Sequence, residues 1–223
     1  MTGKIKSLVL FTSFTPLMFK IIGSILLIIL SIIAGLGEGA GIIILTALAS
    51  MNLMFSLYVD YFVFGGIAEK HLGLMTYIRT SFKGEKFIKD VLIADVILRC
   101  GLVFSHCIIM PEIGSLIFNG SLLDTNSLLQ FFALSLLEGT MLALELLGER
   151  KWIKTYSTIV LVSMTSVMIN SLISGGLFLV YDKFPGMPAK LGVLGALIVI
   201  TVLSITLLIN VCLGGYRSGN SDV

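Results

Sequence analysis

Glu138 is the residue whose type and surroundings most directly suggest chemistry. No other charged residue lies between Asp124 and Glu145, and the run around it is apolar. If this run crosses a membrane, Glu138 lies near the midplane, where an ionised carboxylate costs on the order of 3 kcal/mol on insertion scales. The carboxyl group must therefore be paired, hydrated or protonated. This predicts either a site for a proton, a cation or a cationic substrate, or a structural carboxyl group hydrogen-bonded to Asn170, Ser166 or a hydroxyl group of a neighbouring helix.

Asp95 and Arg99 form a second charged pair inside an apolar run. They stand four residues apart with the acid first, so their side chains can pair along one face of a helix. This spacing predicts a local ion pair near the inner headgroups, with the guanidinium group of Arg99 extending towards water. Glu145 lies two turns from Glu138 on the same helix face, which is consistent with an acidic path or with a hydrated helix end. His106 is interpreted as an interfacial hydrogen-bond donor, with a ligand role as the alternative.

Motifs for the common hydrolytic chemistries do not occur in the sequence. There is no G-x-x-x-x-G-K-[ST], H-E-x-x-H or G-x-S-x-G, so ATP hydrolysis by a P-loop and zinc or serine hydrolysis have no support. Cys100, Cys107 and Cys212 lie in apolar runs without metal-ligand spacing and are interpreted as packing residues. We therefore predict no enzymatic activity of the chain alone, no metal and no cofactor.

Membrane-spanning helices must position these side chains, because the composition excludes a soluble chain. Hydrophobic residues make up 57% of the sequence and charged residues 13%, against roughly 25% charged residues in an average soluble protein. The mean hydropathy is +1.05. Too few polar residues remain to cover a water-facing surface, which excludes a soluble enzyme, a nucleic-acid-binding protein and a disordered chain. We predict an all-α protein of the cell membrane.

Gaps in the charge pattern predict six transmembrane helices, since a hydrocarbon core of ~30 Å requires about 20 apolar helical residues. The predicted spans cover residues 21–37, 39–64, 91–110, 127–147, 155–181 and 191–216. Glycines on both sides of Glu38 favour a turn after the first span, and Pro111 is expected to end the third. Residues 1–20 are expected to form a cytoplasmic interfacial segment that Pro16 separates from the first span. Residues 21–216 then form the six-helix transmembrane domain, with a cytoplasmic loop at 65–90, and residues 217–223 form a cytoplasmic tail.

The distribution of Lys and Arg predicts the orientation. With the N-terminus in the cytoplasm, thirteen of the 15 basic residues fall on the inner side, and only Lys183 and Lys190 fall outside. Cytoplasmic loops of membrane proteins carry an excess of Lys and Arg. The prediction is therefore a six-transmembrane-helix bundle with both termini cytoplasmic.

A basic, partly apolar segment stands before the third span. Lys83, Lys86 and Lys89 repeat every three residues beside an apolar stripe, a pattern typical of a surface helix that leads into the membrane. One interpretation is an anchor for anionic lipid headgroups, worth about 1 kcal/mol per basic residue. The other is a docking element for a cytoplasmic partner, supported by a second basic inner loop. The residues assigned to docking are Arg79, Lys83, Lys86, Lys89, Arg150 and Lys151.

A short basic N-terminus and two spans are followed by the cytoplasmic sequence Thr-Ser-Phe-Lys-Gly-Glu-Lys-Phe-Ile-Lys-Asp at residues 80–90 and by four further spans. This order resembles that of the ABC-2-type permease subunits of low-GC Gram-positive bacteria. The resemblance implies a six-helix subunit without its own ATPase, whose loop between helices 2 and 3 carries a coupling helix. It also implies an exporter that works with a separate cytoplasmic ATPase and with a second, identical or related, permease subunit in the bilayer. Nucleic acid is not among the expected partners.

Two other functions remain open at this point. The chain could be an autonomous ion-coupled carrier or channel that uses Glu138. It could also be a membrane accessory subunit that transports nothing. A permease predicts co-purification with an ATPase through the basic loop, a carrier predicts pH-dependent activity of the purified chain alone, and an accessory subunit predicts neither.

Overall fold

The computed structural model describes residues 4, 7, 14–36, 38–60, 78, 80–152, 156–181, 183–184 and 186–218. In these residues all regular structure is helical. In chain order the elements are α1 (Phe14–Leu30), a 3-10 segment (Ser31–Leu36), α2 (Glu38–Asp60), α3 (Gly84–Phe104), a π segment (Ser105–Ile109), α4 (Met110–Asn119), α5 (Thr125–Trp152), α6 (Tyr156–Tyr181) and α7 (Gly186–Ser218).

Four of these helical runs are long and apolar enough to cross a membrane. They are Gly84–Asn119, Thr125–Arg150, Thr158–Leu177 and Gly186–Gly214. Two shorter apolar helices, Ile21–Ala34 and Ile44–Tyr58, lie where the first two spans were predicted. The prediction of an all-α chain with membrane-spanning helices is confirmed, whereas the count of six spans and the orientation of the termini stay predictions.

The third predicted span does not end before Pro111, and this prediction was wrong. The backbone N–H of Met110 donates to the carbonyl of Ser105, five residues earlier, so the helix widens into a π segment before α4 continues to Asn119. Proline lacks an N–H group, and its ring clashes with the preceding turn of a regular α-helix. The π segment places Pro111 in the first turn of α4, where neither problem arises.

Two more helices begin earlier in the chain than predicted, and each contains a proline in its first turn. α1 begins at Phe14, earlier than the predicted start of the first span at residue 21, and contains Pro16 in its first turn. The predicted break between a surface segment and this helix stays a prediction, because residues 8–13 lie outside the described ranges. α7 begins at Gly186, with a φ of 79°, and contains Pro188 in its first turn, inside the region expected to be a turn. Proline is compatible with a first helical turn because the N–H groups there have no intrahelical acceptor.

Helix α5 occupies the centre of the packing and contacts α2, α3, α6 and α7. The largest apolar cluster joins four of these helices through Leu57 of α2, Val91 of α3, Leu146 of α5 and Leu208 of α7. Large apolar side chains on α6 and α7 point outwards, and Leu172 and Leu203 are 75% and 62% exposed. An outward apolar surface with polar side chains inside suits a bundle whose solvent is lipid.

Candidate functional site

A cluster of four charged side chains lies inside the bundle where α2, α3 and α5 meet. We call Asp60, Asp95, Arg99 and Arg150 the ion cluster; each of these side chains is at most 3% exposed. Arg99 donates from Nε to Asp95 Oδ2 at 2.9 Å, and from its other nitrogens to Asp60 and to the hydroxyl of Ser56. Arg150 donates to both oxygens of Asp60 and to Asp95 Oδ2, each at 2.9 Å. Two carboxylates thus balance two guanidinium groups.

The ion cluster differs from the sequence prediction in where Arg99 points. The predicted pair with Asp95 is present, but the guanidinium group turns into the bundle towards Asp60 instead of extending to water. Sequence reasoning missed Asp60 altogether. The sequence does contain a signal for Asp60, which is the single acid near the end of the apolar run 39–64. A charge inside a predicted span requires a partner, so this position predicts one.

Two further acids of α5 lie inside the bundle, and one of them, Glu149, is beside the ion cluster. Glu149 is 4% exposed and Glu145 is half-buried. Within the ranges that the structure describes, neither carboxylate oxygen of Glu149 has a hydrogen-bond partner, and Glu145 lies near the hydroxyl group of Ser166 on α6. Glu149 lies in the electrostatic field of Asp60, Arg99 and Arg150. Sequence reasoning singled out Glu145 and missed Glu149, which is also an acid on the inner part of the helix.

Glu138 occupies a separate polar network between α2, α5 and α6. Its side chain is 2% exposed. Asn170 donates from Nδ2 to Glu138 Oε1 at 2.9 Å and to Oε2 at 3.0 Å, and the Ser174 hydroxyl donates to Oε1 at 3.1 Å. Asn170 Nδ2 also lies 3.2 Å from the Ser50 hydroxyl of α2. The contact between Glu138 and Asn170 is the one that the sequence suggested for a structural carboxyl group.

Neither a family model, nor a curated protein, nor a solved structure matches this chain. Its function must therefore be inferred from its own side chains. Within the described part of the chain, no group of three or more His, Cys, Asp or Glu residues is arranged to hold a metal ion. The polar interior instead offers carboxyl, amide, hydroxyl, imidazole and guanidinium groups.

A small cavity connects the ion cluster with the Glu138 network. Its polar lining comes from Ser24 of α1, Asn52 and Ser56 of α2, Arg99 of α3, His106 of the π segment and Glu138 of α5. His106 is 1% exposed, so it lies inside the bundle and not at an interface as the sequence suggested. The cavity therefore brings together three of the side chains that sequence analysis considered separately: Arg99, His106 and Glu138.

The basic residues assigned to docking fall into three groups. Lys83, Lys86 and Lys89 are exposed along the start of α3, while Ile88 and Val91 on the opposite side are buried. This is the amphipathic pattern expected of the segment. Arg150 belongs to the ion cluster, inside the bundle and away from a surface that a partner could reach. Arg79 and the side chain of Lys151 lie outside the described residues.

Proposed function

We propose that this chain is the membrane-spanning permease subunit of an ATP-driven exporter, with six spans, cytoplasmic termini and a separate ATPase as its energy source. The ATPase docks on the start of α3. A second permease subunit, identical or related, completes the translocation path. The proposal combines the resemblance stated for residues 80–90 with the way in which α3 is tied to its neighbours.

The observation that carries the proposal is the continuity of α3. Its exposed beginning carries Lys83, Lys86 and Lys89 next to Phe82, whose side chain is fully exposed. Roughly 17 Å further along the same helix, at 1.5 Å per residue, Asp95 enters the ion cluster with Asp60 of α2 and Arg150 of α5. A movement imposed on the exposed end is therefore transmitted to two other helices through charge-assisted hydrogen bonds.

Alternating access follows from this linkage. When the ATPase changes shape, it displaces the start of α3, and the ion cluster makes α2 and α5 follow. The buried ion pairs cannot separate without a large cost, so the three helices move together. The path for the exported molecule then opens between the two permease subunits.

The test is the triple substitution of Lys83, Lys86 and Lys89 with Glu. Reversal of exposed charges costs little folding stability, but it costs several kcal/mol at a charge-complementary interface. Mild-detergent purification followed by mass spectrometry should recover a protein with a P-loop from the wild type and not from the triple variant, and ATP turnover of the complex should fall. Lys183→Glu, at an exposed position on another segment, is the control and should leave both unchanged.

Retention of the ATPase and of normal ATP turnover by the triple variant would contradict the docking role. The lysines would then act as a lipid anchor, and binding of the purified chain to anionic vesicles would depend on them. If the wild type recovers no ATPase and transports nothing alone, the chain is an accessory subunit.

A second candidate function is an ion-coupled carrier, favoured by the burial of Glu138 between three helices. Such a carrier needs a carboxyl group that exchanges a proton or a cation during transport. The purified chain in liposomes should then show transport driven by a pH gradient without ATPase or ATP. Under the first proposal, liposomes with the chain alone show none.

A further inference from the structure

The cavity between the ion cluster and Glu138 has apolar walls that also carry several polar groups, and lipid or an apolar side chain cannot satisfy those polar groups. Helices α1, α2 and α3, the π segment and α5 surround it. Apolar side chains such as Leu53 and Leu102 form part of the wall, and hydroxyl, amide, guanidinium, imidazole and carboxyl groups lie between them. Irregular helical backbone at membrane depth is tolerated where it is buried or lines a polar space. The π segment does both, since His106 and Cys107 are buried and line the cavity.

Among the cavity side chains, His106 has the greatest need of a hydrogen-bond partner inside the cavity. Neither Nδ1 nor Nε2 has a hydrogen-bond partner in the described residues, and the imidazole is 1% exposed. The backbone of Leu45 lies on one side of the ring without hydrogen-bonding geometry. A neutral imidazole carries one donor and one acceptor. Because buried polar groups in proteins are nearly always hydrogen-bonded, a polar molecule must meet this ring.

Glu138 faces the same cavity with acceptor capacity to spare. Its hydrogen bonds to Asn170 and Ser174 come from the α6 side, and a carboxylate offers about four lone-pair positions. Arg99 also lines the cavity, but its donors are directed to Asp60, Asp95 and Ser56. An occupant is therefore recognised mainly by His106 and Glu138.

The volume of the cavity limits which molecules can bind in it. The space open to the centres of water-sized molecules is about 20 Å³, and one water requires roughly 10 to 15 Å³ on this measure. An organic substrate does not fit. A water with two to four polar partners does.

We propose that this cavity is a water-binding site in which a bridging water joins the His106 ring to the Glu138 carboxyl group and makes the two residues a proton-exchanging pair. In the exchange, the Glu138 carboxylic acid gives its proton to the water, which gives a proton to the unprotonated ring nitrogen of His106. The carboxylate and imidazolium so formed remain a neutral pair. This goes beyond the proposed function, since an ATP-driven permease does not require it.

The groups around the pair are consistent with this exchange. The α1 and α2 residues that face the cavity are uncharged, and so are the α6 partners of Glu138. Among the residues that the structure describes, the charged and titratable groups that face the pair are Arg99 from α3, whose charge Asp60 and Asp95 compensate, Cys107 from the π segment, and Glu145 from α5.

Nuclear magnetic resonance of the ¹⁵N-histidine-labelled chain in lipid nanodiscs tests the proposal. The sequence contains two histidines, so His71→Gln leaves His106 as the only signal. Magnetisation should pass from water to the ring nitrogens of His106. Glu138→Gln in this background should change the ring's tautomer or protonation state, whereas Glu85→Gln, at an exposed position at the start of α3 and outside the cavity lining, should not.

Ala49→Val provides a second variant that does not touch either polar residue. Ala49 lines the cavity and is 3% exposed, so two added methyl groups should displace the water and abolish the transfer of magnetisation to His106. Absence of transfer in the parent chain, or the same ring spectrum after Glu138→Gln as after Glu85→Gln, would overturn the proposal. Transfer that survives Ala49→Val would overturn the cavity as the source of the water.

Discussion

At the scale of single residues, Asp60 shows why a buried charge must be considered with its partners. Its side chain accepts hydrogen bonds from Arg99 and from Arg150, which lie on two other helices. Each ion would be expensive to bury alone, and the group is tolerated because the charges balance and most of the guanidinium nitrogens donate to an acceptor. Removal of one acid leaves the two guanidinium groups with a single carboxylate.

Asp60→Asn should therefore be strongly destabilising, by about 3–5 kcal/mol, because it leaves uncompensated positive charge in the bundle. Thermal unfolding in detergent, followed by circular dichroism, measures the loss. Asp90→Asn, on the half-buried surface of α3, is the control and should change stability little. Addition of Arg150→Gln to Asp60→Asn should recover part of the loss, and an unaltered melting curve for Asp60→Asn would contradict the account of the ion cluster.

Glu138 is the residue that separates the two transport mechanisms. Glu138→Gln keeps a carbonyl oxygen that can accept from Asn170 and Ser174, so we expect normal folding and, for an ATP-driven permease, normal transport. Glu138→Leu leaves those donors without an acceptor and should destabilise the protein by about 1–3 kcal/mol. Unfolding curves and transport assays on both variants measure this. A folded Gln variant that no longer transports would favour the ion-coupled carrier.

At the scale of elements, the start of α5 depends on a cap outside the apolar run. Asp124 accepts hydrogen bonds from the backbone N–H groups of Asn126 at 3.1 Å and Ser127 at 3.3 Å. Hydrogen bonds hold the pKa of the Asp124 carboxyl below its usual value. The Ser127 hydroxyl makes the largest contribution, and these backbone donors make smaller ones. A lowered pKa in the folded protein means that the stabilisation is present above the unfolded pKa and is lost as the pH falls through the folded pKa.

Asp124→Ala should cost about 1 kcal/mol at neutral pH, since it removes the side-chain acceptor at a helix start. Asp124→Asn retains an acceptor that caps almost as well, so it should preserve most of the stability and remove the part of the acid dependence that comes from Asp124. Melting temperatures measured between neutral and acid pH compare the three proteins. If the Asn variant loses stability in acid just as the wild type does, another group is responsible for the dependence.

At the scale of the whole molecule, the polar groups are inside and the large apolar side chains of α6 and α7 face outwards. This arrangement requires a lipid environment, and the asymmetry of Lys and Arg predicts which end faces the cytoplasm. The exposed lysines at the start of α3 should be inside the cell and Lys183 outside.

Single-cysteine labelling tests this orientation. In a background with Cys100, Cys107 and Cys212 replaced, Lys86→Cys should resist an impermeant thiol reagent added to whole cells, and Lys183→Cys should react. Both positions are exposed, so a difference reports the side of the membrane and not burial. After cell disruption both should react, and the reverse pattern in whole cells would contradict the topology.

The sequence by itself determined the membrane class, the helical content and the approximate positions of the apolar runs, because these depend on hydropathy and on helix length. It also predicted the pair of Asp95 and Arg99, since four residues along one helix bring their side chains together regardless of the fold. Pro111 was placed wrongly because its effect depends on whether the chain widens into a π segment before it.

Only the tertiary structure decided which charges meet. Asp60 is 39 residues from Arg99 and 90 residues from Arg150, so no local pattern joins them, and Arg150 had the sequence context of a surface loop. The same holds for His106 and Glu138, which share a cavity because residues of α1, α2, α3 and α5 together form its lining. Burial makes an unpaired charge costly, and helix packing alone supplies the partners that make such burial possible.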